Sequence, residues 1–140
     1  MIITTGDAAR AAGWQSITEM AGDGFWYLGT AYTKYPGGLD AAHSVACRAV
    51  GRLWNQGVPC MSPIAATHVP GILVGPDLKD PLFWQTVDAP FVRAAMGLLV
   101  LHMDGWHKSD GLAGEIEAFT EAGKPIVGLS WPLLEIVDET

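Results

Sequence analysis

The chain has 140 residues and a mass of 14.9 kDa, enough for a single domain that buries one core. Hydrophobic residues make up 49% and charged residues only 16%, which excludes intrinsic disorder; with six tryptophans, so low a charge content favours a homo-oligomer, either a dimer or a tetramer. The net charge of −7 and the scattered lysines and arginines argue against nucleic acid or a membrane surface as a partner.

The cysteines and the start of the chain bear on the compartment. Cys47 falls in a predicted helix and Cys60 in a short apolar run, where free thiols usually just pack. Residues 1–7 contain no basic start and no apolar stretch of signal length. No segment approaches the roughly 18 apolar residues that would span a bilayer. We therefore expect a reduced, cytoplasmic protein.

The chain opens on a segment with little pattern. Residues 1–23 are rich in small side chains and lack a strong period, and we interpret them as an N-terminal extension. The predicted domain covers residues 24–140. Its first element is the apolar, aromatic run over residues 25–30, closed by a glycine and a threonine, which is typical of a buried strand.

A helix and a second strand follow. Apolar side chains recur over residues 39–56 at the spacing of a helix lying on a core, and Gly57 is positioned to end that helix. Residues 58–61 form a short predicted strand. The prolines and glycines over residues 64–79 predict a long loop around His68, and loops of this length in compact domains are often functional.

The next helix has a clear start. Asp80 is a candidate N-cap and Pro81 a candidate first helical residue, and the helix runs toward Ala95. Pro90 would kink it, so two shorter helices are an alternative. Residues 97–103 are apolar except for His102, which indicates a strand covered on both faces.

The last predicted helix and strand follow a short loop. Ser109 is a candidate cap for a helix that runs to about Ala122 and ends at Gly123, before a strand over residues 125–129. Three apolar side chains share one face of the helix: Leu112, Ile116 and Phe119.

This alternation predicts the architecture. Strands alternating with helices imply parallel strands joined by right-handed crossovers. We predict a three-layer α/β fold with a mostly parallel, flavodoxin-like or Rossmann-like sheet of four to five strands and helices on both faces. In such sheets, ligands bind outside the carboxyl ends of the strands. Three loops leave that edge, at residues 29–38, 62–79 and 104–108.

The sharpest local signal is the start of the last helix. Its first-turn N–H groups, next to the candidate cap Ser109, could hold a phosphate. Gly111 and Glu115 lie four residues apart and hence on one helical face, where a ligand could approach the backbone and touch the carboxylate. A glutamate on an amphipathic helix is nevertheless more often simply solvated, as we expect for Glu117 and Glu121.

Four motifs in order make the chain similar to nucleoside 2-deoxyribosyltransferase-like proteins, and most similar to an uncharacterised bacterial and phage branch of that superfamily. The resemblance runs from about Trp26 to Leu129. His68 and the Trp84-x-x-x-Asp88 pair match that branch. The four motifs are Tyr27-Leu28-Gly29-Thr30-Ala31-Tyr32, Ser62-Pro63-Ile64, Gly105-Trp106-x-x-Ser109-x-Gly111-x-x-x-Glu115 and Gly123-Lys124-Pro125-Ile126.

The resemblance implies a reaction on a nucleoside or a nucleotide. Glu115 would attack C1′ of a (deoxy)ribosyl group and displace the base, and a second displacement would retain the configuration. Asp88 would protonate the leaving base. Ser109 and the N–H of Gly111 would hold a 5′-phosphate.

The resemblance also implies further substrate contacts. Tyr27 or Tyr32 would orient the glutamate or touch the sugar, and the remaining predicted contacts are Gly29, Ser62, His68, Asp104 and Trp106. His43, His102 and His107 lack zinc-type spacing, so we expect no metal. We expect no cofactor either.

Departures from the family pattern leave alternatives open. Relatives have Pro where this chain has Ala31, an acidic residue at Met96, often a second His at Ala66, and an Arg where Ala42 and His43 stand. A non-catalytic module that binds a nucleotide or a nucleotide sugar is therefore the main alternative to an enzyme. A purely structural or interaction domain is the third.

Overall fold

The computed structural model describes residues 7–75 and 80–137, with only the backbone described for residues 7–12. Five strands form one sheet in the order β2-β1-β3-β4-β5. The strands are β1 (Trp26–Gly29), β2 (Cys60–Met61), β3 (Gly97–His102), β4 (Ile126–Ser130) and β5 (Ile136–Val137). The helices are α1 (Asp7–Ala21), α2 (Leu39–Asn55), α3 (Pro63–Val74), α4 (Pro81–Ala94) and α5 (Asp110–Glu121), with a 3-10 turn at Trp106–Lys108.

The sheet confirms the predicted α/β class. The first four strands are parallel, and β5, which the sequence pattern did not reveal, is antiparallel to β4. The chain passes from β1 outward to β2 and then crosses to β3 on the other side of β1. The strand order therefore reverses between β1 and β3, and the carboxyl ends of these two strands bound a crevice of the kind that holds ligands in open α/β sheets.

The helices form two layers, one on each face of the sheet. One core contains buried side chains of α1 and α2 together with Trp26 and Leu28 of β1. The other contains Tyr27 with Leu112 and Phe119 of α5. Because successive side chains of a strand point to opposite faces, the aromatic run of β1 contributes alternately to both cores.

Helix α2 follows the predicted pattern closely. Its six buried side chains are those that recur at helical spacing, and Gly57 follows directly after its capping residue Gln56. The six are Ala42, Val45, Ala46, Ala49, Val50 and Leu53. Helix α5 is likewise confirmed: Ser109 caps it, and Leu112 and Phe119 are buried.

The loop predicted over residues 64–79 is wrong for the greater part of its length. Residues 63–74 form α3, Ser62 caps it by accepting a hydrogen bond from the N–H of Ala65 at 3.1 Å, and residues 76–79 lie outside the described residues. Pro70 withholds one N–H from the helix, but the carbonyl it would pair with belongs to the exposed residue Ala66, where water can replace the bond. Proline and glycine punctuation therefore gave a false loop signal.

Helix α4 is one continuous helix, so the alternative of two shorter helices is wrong. Asp80 caps it through a 3.0 Å bond from the N–H of Leu82, as predicted. Pro90 removes the partner of the carbonyl of Thr86, which again lies at an exposed residue. The helix continues past the proline because solvent satisfies that carbonyl.

Helix α1 lies inside the predicted N-terminal extension. Trp14 and Ile17 are buried against the sheet, and the indole N–H of Trp26 donates to the carbonyl of Ile17 at 2.9 Å. The division of the chain at residue 23 stays a prediction. Among the described helices, none is both long and apolar enough to cross a membrane.

Candidate active site at the carboxyl edge of the sheet

The crevice between β1 and β3 brings Tyr27 and Glu115 together. The hydroxyl of Tyr27 on β1 donates a hydrogen bond to Oε2 of Glu115 on the second turn of α5. Gly29 ends β1 on the same face, and a Cβ there would lie 2.5 Å from Leu112 Cδ1 and 3.3 Å from Glu115 Oε1. A larger residue at position 29 would therefore displace the side chains of Leu112 and Glu115, through which α5 approaches the strand.

Tyr27 is a buried hydrogen-bond donor. Its side chain is fully buried, and its ring packs against Phe119 with the centroids 5.6 Å apart. Burial, followed by the neighbouring carboxyl groups of Glu115 and Asp88, raises the pKa of the phenol far above its usual range. The hydroxyl therefore keeps its proton, and it can stabilise negative charge on Glu115.

Two carboxyl groups share this region, and both hold their protons more tightly than usual. Desolvation raises the pKa of Glu115 to about 8; the bond from Tyr27 opposes this shift and the charge of Asp88 adds to it. Desolvation also raises the pKa of Asp88, on α4, to about 7. Two titratable groups in a crevice with such raised pKa values are typical of sites that perform acid–base or nucleophilic chemistry.

Three buried polar atoms near this edge of the sheet lack hydrogen-bond partners among the described residues. They are Oδ1 of Asp88, Nε2 of His102 and Oγ1 of Thr30. His102 ends β3, and Thr30 directly follows β1. Since buried polar groups in proteins are nearly always hydrogen-bonded, these atoms are candidates for contact with a bound ligand or with water.

At the N-terminus of α5, one first-turn N–H group is already hydrogen-bonded, and the backbone of a neighbouring glycine is exposed. Oγ of Ser109 accepts a bond from the N–H of Leu112 at 3.2 Å, so its side chain serves first as the helix cap. Gly111 is exposed, and the nearest atom that a Cβ there would meet is Ser109 Oγ at 4.0 Å. The backbone at Gly111 is therefore accessible, and its binding of an anion stays a prediction.

The loop between β3 and α5 is built around Trp106. Its indole stacks on the imidazole of His102, with the ring centroids 4.0 Å apart and an interplanar angle of 4°. Gly105 has φ +82°, and a Cβ there would collide with the backbone carbonyl of Lys34. Asp104 is exposed in this loop. Trp106 thus packs on His102 at the end of β3, while Asp104 faces solvent.

Tyr32 and His68 form a second hydrogen-bonded group. The hydroxyl of Tyr32 bonds to Nδ1 of His68, and Nε2 of His68 bonds to Oδ1 of Asp40 at 2.8 Å. Tyr32 and His68 are 5% and 2% exposed, whereas the side chain of Asp40 is 92% exposed. His68 is held within α3 on its buried side, and not in a mobile loop.

The predicted site residues therefore divide into two groups. Tyr27, Gly29 and Glu115 meet directly, and electrostatic coupling links Asp88 to both Tyr27 and Glu115. Tyr32 and His68 instead bond to each other. Ser62 is buried as the cap of α3, where its hydroxyl oxygen already accepts a bond.

Sequence reasoning missed two residues of this region. Asp40 was not singled out, because its partner His68 lies 28 residues away and an acidic residue in the first turn of a helix has an ordinary explanation. His102 was considered only as a metal ligand. A polar residue at the end of an otherwise apolar strand, at the edge where ligands bind, is the signal that could have identified it.

Two surface grooves lie elsewhere. A groove of about 620 Å³ and another of about 400 Å³ meet at the exposed Trp54, on the side of the sheet that carries α1 and α2. Neither lining contains a carboxylate or a histidine. We therefore place the candidate site at the carboxyl edge, where titratable groups converge, and not in either of these grooves.

Fold and site together define a Rossmann-like α/β protein with paired carboxyl groups at the point where the strand order reverses. Residues 24–130 match the family described as a domain of unknown function, DUF1937. This match covers most of the chain, and the protein belongs to that family. A search of curated proteins finds no match.

Proposed function

We propose that this protein cleaves or transfers the N-glycosidic bond of a nucleoside or nucleotide, with Glu115 as the nucleophile. The observation that carries the proposal is the hydrogen bond from Tyr27 to Glu115 in the crevice between β1 and β3, within electrostatic reach of the buried Asp88. A tyrosine donor on one carboxylate oxygen leaves the other oxygen for attack. The motifs shared with nucleoside 2-deoxyribosyltransferase-like proteins support the same assignment.

The reaction has two displacements. A carboxylate oxygen of Glu115 forms a bond to C1′ as the bond between C1′ and the base nitrogen breaks, and Asp88 gives its proton to the departing base. The product is a glycosyl ester of Glu115. Water or a second base then attacks C1′ and gives up a proton to Asp88, which restores both carboxyl groups. Two inversions at C1′ amount to retention.

The raised pKa values bear on this division of labour. The pair needs one proton in total, with Glu115 ionised and Asp88 protonated. Values of about 8 and 7 give a singly protonated pair near neutral pH, but their order leaves that proton on Glu115 in the free protein, so the reaction requires its transfer to Asp88 when substrate binds. The bond from Tyr27 favours the ionised form of Glu115. Positive charge that develops on the sugar during bond cleavage favours it further.

A 5′-phosphate fits the start of α5. The exposed backbone at Gly111 and the positive end of the helix dipole attract an anion, and Ser109 fixes the geometry of the first turn. Glu115 lies one turn further along the same helical face. This arrangement would present C1′ of a nucleotide to the carboxylate while the phosphate stays at the helix end.

The test is turnover on a panel of nucleosides and nucleoside 5′-monophosphates, for wild type, Glu115→Gln and Glu117→Gln. Glu117 is exposed on the same helix and serves as the matched control. We expect Glu115→Gln to lower kcat by about 10³-fold or more and Glu117→Gln to leave it unchanged. Equal rates for wild type and Glu115→Gln on a substrate that wild type cleaves would refute the assignment.

A non-catalytic module that binds a nucleotide or a nucleotide sugar is the second candidate. The raised pKa of Glu115 favours it, because a carboxyl group that stays protonated at neutral pH is a hydrogen-bond donor to a ligand and a poor nucleophile. Thermal-shift measurements against nucleotides and ADP-ribose derivatives separate the candidates. A binding module is stabilised by its ligand and forms no product, whereas an enzyme consumes the ligand.

A further inference from the structure

Asp40, His68 and Tyr32 form a chain of hydrogen bonds from the surface into the core. The outer end is the carboxylate of Asp40, which accepts a bond from Nε2 of His68 at 2.8 Å. The inner end is the hydroxyl of Tyr32, bonded to Nδ1 of the same ring. The chain joins the first turn of α2, the middle of α3 and the segment after β1. None of its members contacts Glu115 in the bonds described above.

The chemistry of the three groups fixes where the protons lie. A carboxylate only accepts hydrogen bonds, so Nε2 of His68 must carry a hydrogen. In the neutral imidazole Nδ1 is then an acceptor, and the hydroxyl of Tyr32 donates to it. Asp40 thus selects one tautomer of His68, and that tautomer sets the direction of the Tyr32 hydroxyl. His43 stacks on His68 at 4.4 Å, and burial lowers the pKa of His43, so it faces the ring as a neutral group.

The inner end of the chain supports the helix that carries Asp88. The ring of Tyr32 meets the indole of Trp84 edge to face, with the centroids 5.4 Å apart. Trp84 and Asp88 lie four residues apart on α4 and therefore on one face of that helix. The ring of Tyr32 thus packs on the face of α4 that also carries the buried Asp88.

We propose that Asp40 is a positioning residue for protonation of the leaving base. It holds the imidazole of His68 in one orientation and one tautomer, and the bond between His68 and the hydroxyl of Tyr32 then holds the ring of Tyr32. Tyr32 in turn positions Trp84 on α4. The general acid Asp88, on the same face of that helix, is thereby held at the correct distance from the reacting bond. This inference rests on the proposed function, since it explains how that function's acid is held in place.

The first experiment measures the ring nitrogens of His68 by long-range ¹H–¹⁵N NMR, which requires no activity. The variants are Asp40→Ala, its conservative counterpart Asp40→Asn, and Asp23→Ala as a control at another exposed aspartate. Wild type and Asp23→Ala should show Nε2 protonated and Nδ1 unprotonated. Asp40→Ala should show a mixture of tautomers, and Asp40→Asn, whose amide oxygen still accepts, should restore the wild-type pattern. An unchanged pattern in Asp40→Ala would overturn the proposal.

The second experiment compares two leaving groups. A nucleoside needs its base protonated, whereas a nitrophenyl (deoxy)riboside releases a stable anion without an acid. Asp40→Ala should lower kcat on the nucleoside by about 10-fold with KM unchanged and change the nitrophenyl substrate by less than about twofold, with Asp40→Asn largely restoring the rate. Equal loss on both substrates, or no loss on either, would contradict a role in positioning the acid.

A third measurement separates failure of this inference from failure of the proposed function. If wild type cleaves neither substrate, the proposed function is wrong. The position of Asp88 is then tested by ¹³C NMR titration of its carboxyl group. Loosening of α4 in Asp40→Ala should expose Asp88 and lower its pKa from about 7 toward the usual range, while Asp23→Ala leaves it unchanged. An Asp88 titration identical in wild type and Asp40→Ala would overturn the positioning role.

Discussion

Two carboxyl groups near the same edge of the sheet are each linked to a buried tyrosine, yet their surroundings are opposite. Glu115 accepts directly from Tyr27 in a region of low polarity, and burial raises its pKa to about 8. Asp40 reaches Tyr32 only through His68, and its side chain is 92% exposed. A carboxyl group therefore holds its proton more tightly where the surrounding protein desolvates it, as at Glu115, whereas the carboxyl group of Asp40 lies in contact with water.

Of the changes that test this contrast between Glu115 and Asp40, Tyr27→Phe should have the largest effect. The bond from Tyr27 lowers the pKa of Glu115, so its removal should raise that pKa further and move the acidic limb of the pH–rate profile to higher pH. A hydrogen bond to a charged group is worth roughly 1.5–3 kcal/mol, so we expect kcat/KM at pH 7 to fall by about 10- to 100-fold.

Tyr35→Phe is the control for that measurement, because Tyr35 is only partly buried and has no role in the site. A Tyr27→Phe profile that coincides with the wild-type profile would show that the hydroxyl does not tune Glu115. Tyr32→Phe removes the hydroxyl that is linked to Asp40 through His68, and it should leave the acidic limb of the pH–rate profile unchanged.

The second effect is a dependence of stability on pH. The folded pKa values of Glu115 and Asp88 lie above their ordinary values of 4.5 and 3.8, so the folded state holds protons that the unfolded chain has lost. Their contribution to stability is fully present below about pH 4 and is lost as the pH rises through 7 and 8. Urea denaturation should show the free energy of unfolding falling over this range.

Glu115→Gln should make that fall shallower, because the amide carries no charge and still accepts from Tyr27. We expect the variant to gain on the order of 2 kcal/mol over wild type between pH 5 and pH 8. Asp40→Asn should show no such gain, since Asp40 is exposed. A wild-type stability that rises from pH 5 to pH 8 while Glu115→Gln runs parallel to it would contradict buried, protonated carboxyl groups.

The smallest expected effect concerns the C-terminal end of α4, the helix that carries both Asp88 and Trp84. Nζ of Lys124 donates to the carbonyl oxygens of Val92, Arg93 and Ala95 at 3.2, 2.8 and 2.6 Å, where the helix dipole is negative. Lys124→Met should lower the free energy of unfolding by about 1–2 kcal/mol and the Tm by about 4 °C. Lys34→Met, at an exposed lysine, should shift the Tm by less than a degree or so in calorimetry. Equal shifts in the two variants would exclude the capping role.

Sequence patterns predicted the sheet and its strongest elements because these obey local rules. The helical spacing of apolar residues in α2, the caps of α4 and α5 and the apolar run of β3 each depend only on residues that are close together in the sequence. Helix α3 escaped prediction because Pro70 reads as a break, while burial of Ile64 and His68 against the rest of the domain decides the conformation. Helix α1 escaped because most of its apolar residues are alanines and they do not form a clear apolar stripe at helical spacing.

The residues of the candidate site could be predicted where they belong to the sequence motifs of the resemblance. Hydrophobic patterns did not identify them. Glu115 and Tyr27 were named from the resemblance, and their contact follows once β1 and α5 are adjacent. The bond between Asp40 and His68 joins two helices 28 residues apart, and no local rule specifies such a pair. The raised pKa values of Glu115 and Asp88 likewise depend on burial in the folded chain, which composition does not reveal.

The most direct test of the account is the intact mass of the protein, quenched in acid during turnover of a substrate that wild type cleaves. A glycosyl ester on Glu115 adds the mass of one (deoxy)ribosyl group, and peptide mapping should place it within α5, with no adduct in Glu115→Gln. Turnover that continues in Glu115→Gln, or an adduct on another residue, would contradict a nucleophilic Glu115.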